Sequence, residues 1–373
     1  FGLTSSFRSV TSVRDLPPEM AIFFYEGIDY NPQHNINYTH DHTTKGSSMA
    51  WIELGLSYAY NFHRYRWNSW SAGITLKPLL GNAGLYASAT DADYYVHNDD
   101  SLSVYNGTVE FGLALPIDYE TDEVLSPLKT RGFGFGVDLG ITFQYTEKGH
   151  STAIYSRLCE PPFEEYNYRL GFSVLDLGYI RFKQNAVQQS YVNSSTEWYR
   201  PYDTVKYSSI SNILYKIEDH FLANAESFES AESFTMYLPP ALSIQADVKL
   251  RKNTYLNVTG IYGLKLGNRF LYRPSVISFA ARYETARWEV SLPVSVYEWD
   301  ITNPRIGLSV RYGNFFIGAD RLNSLLGINN FNGMDFYAGL RLNLSNLFRM
   351  NFLKGHCGMQ KMYNIETFDY RNF

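Results

Sequence analysis

The chain has 373 residues, 17% of them aromatic with 31 Tyr and 25 Phe, yet only 18% charged, at a net charge of −5. No uncharged apolar run approaches the roughly 18 residues of a membrane-crossing helix, so helical membrane proteins are excluded, as are coiled coils. The wealth of aromatics argues against disorder, and the acidic balance offers no footprint for nucleic acid.

Residues 1–48 precede the first clear alternation and are expected to form a plug or an extra strand. The sequence starts at Phe1 rather than Met, as expected after removal of a secretory signal, although a cloning boundary would look the same. Within this segment His34, His40, Asp41 and His42 have the residue types of a metal cluster. Their setting among Asn and Thr, without a fourth ligand at a recognisable spacing, reads as a solvated loop.

Period-two alternation then repeats along the chain, which a 3.6-residue helix cannot produce. Ile52, Leu54, Leu56, Tyr58 and Tyr60 oppose Glu53, Gly55, Ser57 and Ala59, and Trp70, Ala72, Ile74 and Leu76 oppose Ser71, Gly73, Thr75 and Lys77. The clearest case sets Phe133, Phe135, Val137, Leu139, Ile141, Phe143 and Tyr145 against Gly132, Gly134, Gly136, Asp138, Gly140, Thr142 and Gln144. A tilted strand of that length crosses a bilayer core. Glycine weakens a strand, so Gly132, Gly134, Gly136 and Gly140, beside Asp138, mark an inward face that something approaches closely, either an N-terminal segment packed into the lumen or a sugar or lipid. In Tyr168–Phe182 the apolar parity changes between Val174 and Leu175, which predicts a one-residue bulge with Asp176 in the interior or at the kink.

Residues 184–232 form a long insertion in which Ile210, Ile213, Leu214, Ile217 and Phe221 make an amphipathic helical stripe, suited to packing on the rim or inside the lumen, or to docking a partner. Alternation resumes at Leu242–Leu250 and continues through 254–266, 274–284, 286–298, 304–312, 313–320 and 334–346. With 49–61, 68–79, 83–90, 102–115, 132–146, 167–183 and 233–250, and a further strand in 20–28 or 187–207, the expectation is a transmembrane antiparallel β-barrel of about 14 strands, 12 to 16 being allowed. The barrel spans 49–346 and a soluble tail follows at 347–373. The turns Arg251-Lys252-Asn253, Glu284-Thr285, Thr302-Asn303-Pro304 and Gly313-Asn314 are short, which predicts low rims on both sides.

No nucleophile elbow, zinc-protease, phosphate-loop or dinucleotide motif is present, and Glu164-Glu165 and Asp99-Asp100 read as solvated loops, so neither an enzyme nor a cofactor is expected. Cys159 and Cys357 leave a single disulfide or two free thiols open. Asp100-Ser101-Leu102 and Asp203-Thr204-Val205 match a short O-glycosylation acceptor pattern associated with Bacteroidota.

The runs Gly132–Ile141 with Phe143-Gln144-Tyr145, Gly171–Phe182 and Ser233–Pro239 resemble the Gly-rich and Leu-x-Asp-Leu-Gly-x-Ile strands of FadL-like outer-membrane barrels of Bacteroidota, including PorV-like and PorP/SprF-like proteins and a related uncharacterised family. Asn31-Pro32-Gln33 departs from the Asn-Pro-Ala hatch signature of FadL-type transporters, so no gating residue carries over. The resemblance implies an outer-membrane protein of a Gram-negative bacterium, set in the lipid bilayer beside other outer-membrane proteins or lipoproteins. It would be a non-catalytic accessory subunit for outer-membrane protein assembly, insertion or export. The alternative is a FadL-like transporter of hydrophobic or glycan-derived small molecules.

Overall fold

The computed structural model describes residues 1–65, 67–126, 128–147, 166–199, 209–251, 253–285, 288–322 and 336–340. Both cysteines, Glu164-Glu165, Asp203-Thr204-Val205 and the 347–373 tail lie outside these residues. In chain order the elements are β1 (Gly2–Arg14), α1 (Pro18–Glu26), β2 (Asn37–Tyr38), β3 (Thr43–Tyr65), β4 (Asn68–Thr90), β5 (Asp93–Asn98), β6 (Ser101–Ala114), β7 (Gly132–Tyr145), β8 (Tyr168–Phe182), β9 (Val187–Tyr199), α2 (Ile210–Leu222), β10 (Ser227–Ala231), β11 (Phe234–Tyr237), β12 (Ala241–Arg251), β13 (Thr254–Gly263), β14 (Val276–Glu284), β15 (Trp288–Tyr297), β16 (Arg305–Ile306), β17 (Leu308–Tyr312), β18 (Phe315–Ala319) and β19 (Tyr337–Leu340). The protein is all-β, and its strands join one large antiparallel sheet.

Two parts of the sheet differ in their packing. Among the described residues a wall of twelve neighbouring strands runs β1-β3-β4-β7-β8-β12-β13-β14-β15-β17-β18-β19. At one end the sheet forks. β4 pairs with β7 through Asn68–Gly81 and with β6 through Gly84–Thr90, and β6 continues into β5 and β9. Strands β2, β5, β6, β9 and β10 with both helices form a cap at that end. Residues 102–115, expected in the wall, therefore belong to the cap.

Other expectations are also revised. Of the two places expected for a further strand, 187–207 contains β9, whereas 20–28 falls largely in the helix Pro18–Glu26, where Pro17 and Pro18 fit a helix start and Gly27, at φ 78°, terminates it. Of the plug or extra strand expected from residues 1–48, the extra strand is present as β1, paired with β3. Segments 68–79 and 83–90 are one strand, in which Asn82 sits at a register shift that flips the faces. Conversely, 233–250 is two strands broken at Leu238-Pro239-Pro240. The connections from β12 to β13, β14 to β15 and β17 to β18 all lie at one end, because 264–275 and 298–307 return the chain from the other. Thr302-Asn303-Pro304 belongs to that opposite end, which also holds the cap, so the two rims are unequal.

The predicted bulge is present: Val137 pairs with Leu177 but Leu139 pairs with Val174, and Asp176 takes φ 54°. Its backbone N–H donates to Asp138 Oδ1 at 2.8 Å. The wall is strongly curled. Arg8 on β1 and Asp176 on β8 are four strands apart, about 19 Å on a flat sheet, yet their side chains meet at 2.9 Å. The connection 264–275 folds onto the concave face, where Tyr272 N–H donates to Ser12 Oγ at 3.2 Å and Arg14 donates to the Leu266 carbonyl at 3.2 Å.

The two faces of the wall are chemically opposed. Phe133 is 64% exposed, and Phe135, Leu139, Ile141, Leu170, Phe172, Leu292 and Ile317 are also exposed on the convex face. The concave face near the cap holds a packed core of Met49, Trp51, Leu79, Tyr86, Ile180, Phe182, Phe234, Met236, Leu238 and Leu271. The glycines of β7 serve this packing. A Cβ at Gly134 would collide with the Tyr179 carbonyl, and Cβ atoms at Gly136 and Gly178 would lie 3.0 and 3.1 Å from Leu238 Cδ1. We expect Gly136→Val to displace Leu238 and destabilise the fold by about 1–3 kcal/mol, whereas Gly260→Val, which meets nothing within 4 Å, should be nearly neutral. Denaturant unfolding of the two variants, followed by tryptophan fluorescence, checks both outcomes.

Candidate functional site

The concave face concentrates its charge in a layer directly beneath the packed core. Asp176 is 2% exposed at the bulge of β8, whose left-handed backbone turns the side chain inward. Its carboxylate takes two hydrogen bonds from Arg8, at 2.9 and 3.1 Å, one from Lys77 Nζ at 2.8 Å and another from Arg273. Lys77 Nζ also pairs with Asp138 at 2.6 Å, and Arg8 with Glu53 at 3.3 Å. Trp51 Nε1 donates to Glu53 at 3.2 Å, while the Arg8 guanidinium lies 4.9 Å from the Trp51 ring centre. Three cations and three carboxylates thus tie together β1, β3, β4, β7, β8 and the infolded 264–275 connection. Buried charges persist only when paired in this way.

Below this layer lies an open pocket of about 350 Å³, whose lining mixes Ser57, Ser71, Thr75, Asp138, Thr142 and Ser173 with the apolar Tyr58, Ile74, Leu139 and Leu175. A second charged group lies near the short-turn end. Arg282 donates to Asp247 Oδ2 at 2.6 Å and to the Tyr166 hydroxyl at 2.7 Å, and Arg311 bridges Glu289 at 2.7 Å and Glu284 at 3.3 Å. At the cap end, Glu110 is held by Arg269 Nε at 2.9 Å and by the Tyr86 hydroxyl at 2.9 Å.

Chemically, this arrangement joins structural elements. Asp176 spends its lone pairs on three cations, leaving none to move a proton for a substrate. No group of three His, Cys, Asp or Glu among the described residues has metal-binding geometry. His34 Nε2 lies 2.7 Å from the Ile28 carbonyl, and the His40 backbone N–H donates to Asp93, so both serve loop packing. Ser101 of the Asp100-Ser101-Leu102 pattern is buried at the start of β6 and donates to Asn98 Oδ1 at 3.2 Å.

The predicted site residues fall in two places. Gly132, Gly134, Gly136, Asp138 and Gly140 all lie on β7; the first four are close to β8, Leu238 or the charged layer, and Gly140 faces Ser173. Ile210, Ile213, Leu214, Ile217 and Phe221 form α2, capped by Ser209, which accepts from Asn212 N–H at 3.2 Å. Phe221, Ile210, Leu214 and Ile217 pack against Phe111, Leu113, Tyr119 and Tyr191 of the cap. The stripe proposed for docking is thus largely occupied by the chain's own sheet. Arg8, Glu53, Lys77 and Arg273 were not singled out from sequence, and only their placement on the concave face reveals them.

Replacing Asp176 with Asn should cost about 3–5 kcal/mol, because it leaves three cations facing a neutral amide, with only Glu53 and Asp138 remaining as carboxylates. Adding Arg8→Gln to that variant should cost less than the sum of the single changes, since both act on one pair. Equilibrium unfolding of the two single variants and the double variant measures the coupling.

No curated protein matches this sequence. A family model described as a family of unknown function, DUF5723, matches residues 1–320, and on that extent of agreement the chain belongs to that family.

Proposed function

We propose that the curled wall closes into an outer-membrane β-barrel and that the protein is a non-catalytic accessory subunit of a Bacteroidota outer-membrane complex for assembling, inserting or exporting outer-membrane proteins. The observation that carries this reading is the combination of an apolar convex face with an interior blocked at the cap end by close packing and saturated ion pairs. Such a barrel offers no continuous path for solute and works instead through its surfaces.

Three features support the membrane setting. On β7 the apolar face from Phe133 to Phe143, tilted as barrel strands are, rises about 25 Å, the height of an outer-membrane apolar band. Exposed Trp67, Trp70, Tyr283, Trp288 and Tyr312 lie toward the short-turn end, where an aromatic girdle belongs. β1 and β19 run in opposite directions, so their union would be antiparallel, as bacterial barrels require. In this orientation the short turns face the periplasm and the cap faces outward.

A FadL-like transporter of hydrophobic or glycan-derived small molecules is the second reading, favoured by the open pocket of mixed apolar and hydroxyl lining. Purification from native membranes in mild detergent separates the two. Stable co-purifying proteins are expected, and recovery as a lone monomer with a clear open conductance in planar bilayers would contradict the subunit reading. The barrel itself is tested by Leu139→Arg on the convex face, expected to cost about 2–4 kcal/mol on folding into vesicles, against a small effect of Thr142→Arg on the concave face.

A further inference from the structure

The cap carries a charge asymmetry absent from the wall. Residues 15–44 hold five carboxylates and residues 78–128 hold nine, with no Lys or Arg in either stretch, leaving 23 of the 37 carboxylates to accompany all 32 cations elsewhere. Asp15, Glu19, Glu26, Asp29, Asp91, Asp99, Glu120, Asp122 and Glu123 are exposed. Asp118 is held below the usual carboxylate range by backbone N–H groups of Glu120 and Thr121, so its charge persists in mild acid.

Helix α1 stands within this field and is apolar on more than one side. Met20 and Phe23 pack inward against Tyr94, Val96 and Leu102, with Phe23 and Tyr94 ring centres 5.4 Å apart. Ile22, Phe24 and Tyr25 face outward, the last two 71% and 87% exposed. An all-round apolar helix belongs in an interior, and exposed aromatics inside a polar rim mark a contact site. Lipid is a poor occupant. Between Phe7 and α1 the convex side of β1 and β3 is mainly polar, with Thr11 Oγ1 and Ser48 Oγ 2.8 Å apart and Val13 its one large apolar side chain, and anionic membrane surfaces repel the cap.

We propose that the outward face of α1 docks a cationic polypeptide segment with an apolar centre, its Lys or Arg side chains meeting Glu19, Glu26 and Asp29 while its apolar residues cover Ile22, Phe24 and Tyr25. This rests on the accessory-subunit reading and names the chemistry of the partner.

The test uses the full chain in zwitterionic lipid nanodiscs and three fluorescent peptides: a Lys/Trp peptide, a Lys/Ser peptide of equal charge and a Glu/Trp peptide. The Lys/Trp peptide should bind best, and about tenfold more weakly to Phe24→Ser/Tyr25→Ser and to Glu19→Gln/Glu26→Gln/Asp29→Asn. These side chains are exposed, so the variants should match the parent in unfolding midpoint, which is measured alongside. Equal binding by the Phe24→Ser/Tyr25→Ser protein, equal binding of the Glu/Trp peptide, or equal binding to empty nanodiscs would overturn the proposal, the last pointing to lipid. Purification of the same variant from native membranes keeps the two readings apart. Partners retained by it refute the docking face alone, whereas a parent protein without partners refutes the subunit reading.

Discussion

Backbone hydrogen bonding across the wall is the constraint from which the rest follows. The ten strands of the wall between β1 and β19 each have a neighbour on both sides to take up N–H and C=O groups, so the sheet can present large apolar side chains outward while its inner strands stay hydrogen-bonded. Once the pairing is fixed, period two decides the chemistry of each face. Phe133, Phe135, Leu139 and Ile141 point out because Gly134, Gly136, Asp138 and Gly140 point in. A curled sheet with such a face needs its interior filled or solvated. Here it is filled near the cap and polar toward the short turns.

The bulge at Asp176 converts this regular pattern into a specific one. Without the extra residue, β8 would keep one parity throughout and could not keep its exposed apolar side chains on one face on both sides of the kink. With it, Leu170 and Phe172 remain outward below the kink, Leu177 and Tyr179 above it, and a carboxylate is delivered to the interior between them. That carboxylate gathers cations from β1, β4 and the 264–275 connection, elements far apart in sequence. The same strand carries Gly178, whose missing side chain, with that of Gly136, seats Leu238. Packing above and ion pairing below therefore originate in a few residues of β7 and β8.

Much of this was legible in the sequence where alternation is unbroken. β7 could be read residue by residue, and the parity change in β8 located the bulge and Asp176. The helix α2 announced itself through its stripe, but the sequence could not say that its partner surface is Phe111, Leu113 and Tyr191 of the same chain. β1 was obscure because Ser5, Ser9 and Thr11 occupy outward positions between Leu3, Phe7 and Val13, blurring the contrast between faces. Met20–Tyr25 read as a strand because a short apolar run has no visible period, although Pro18 and Gly27 frame a helix. The charged layer was hidden for another reason: Arg8, Lys77, Asp176 and Arg273 are brought together by the curl of the sheet, a property of many paired strands rather than of any local segment. The acidic cap was present in the composition of two segments but is averaged away in a net charge of −5.

The opposition of faces is the central claim, and it is measured most directly by nitroxide labels placed singly along β7 from Phe133 to Tyr145 in lipid vesicles, with collision rates read for oxygen and for a water-soluble nickel complex. The account predicts a two-residue period, with labels at Phe135, Leu139 and Ile141 favouring oxygen and labels at Asp138 and Thr142 favouring nickel or contacting neither. Equal nickel accessibility at both parities, or a labelled chain that stays in the aqueous phase, would contradict it.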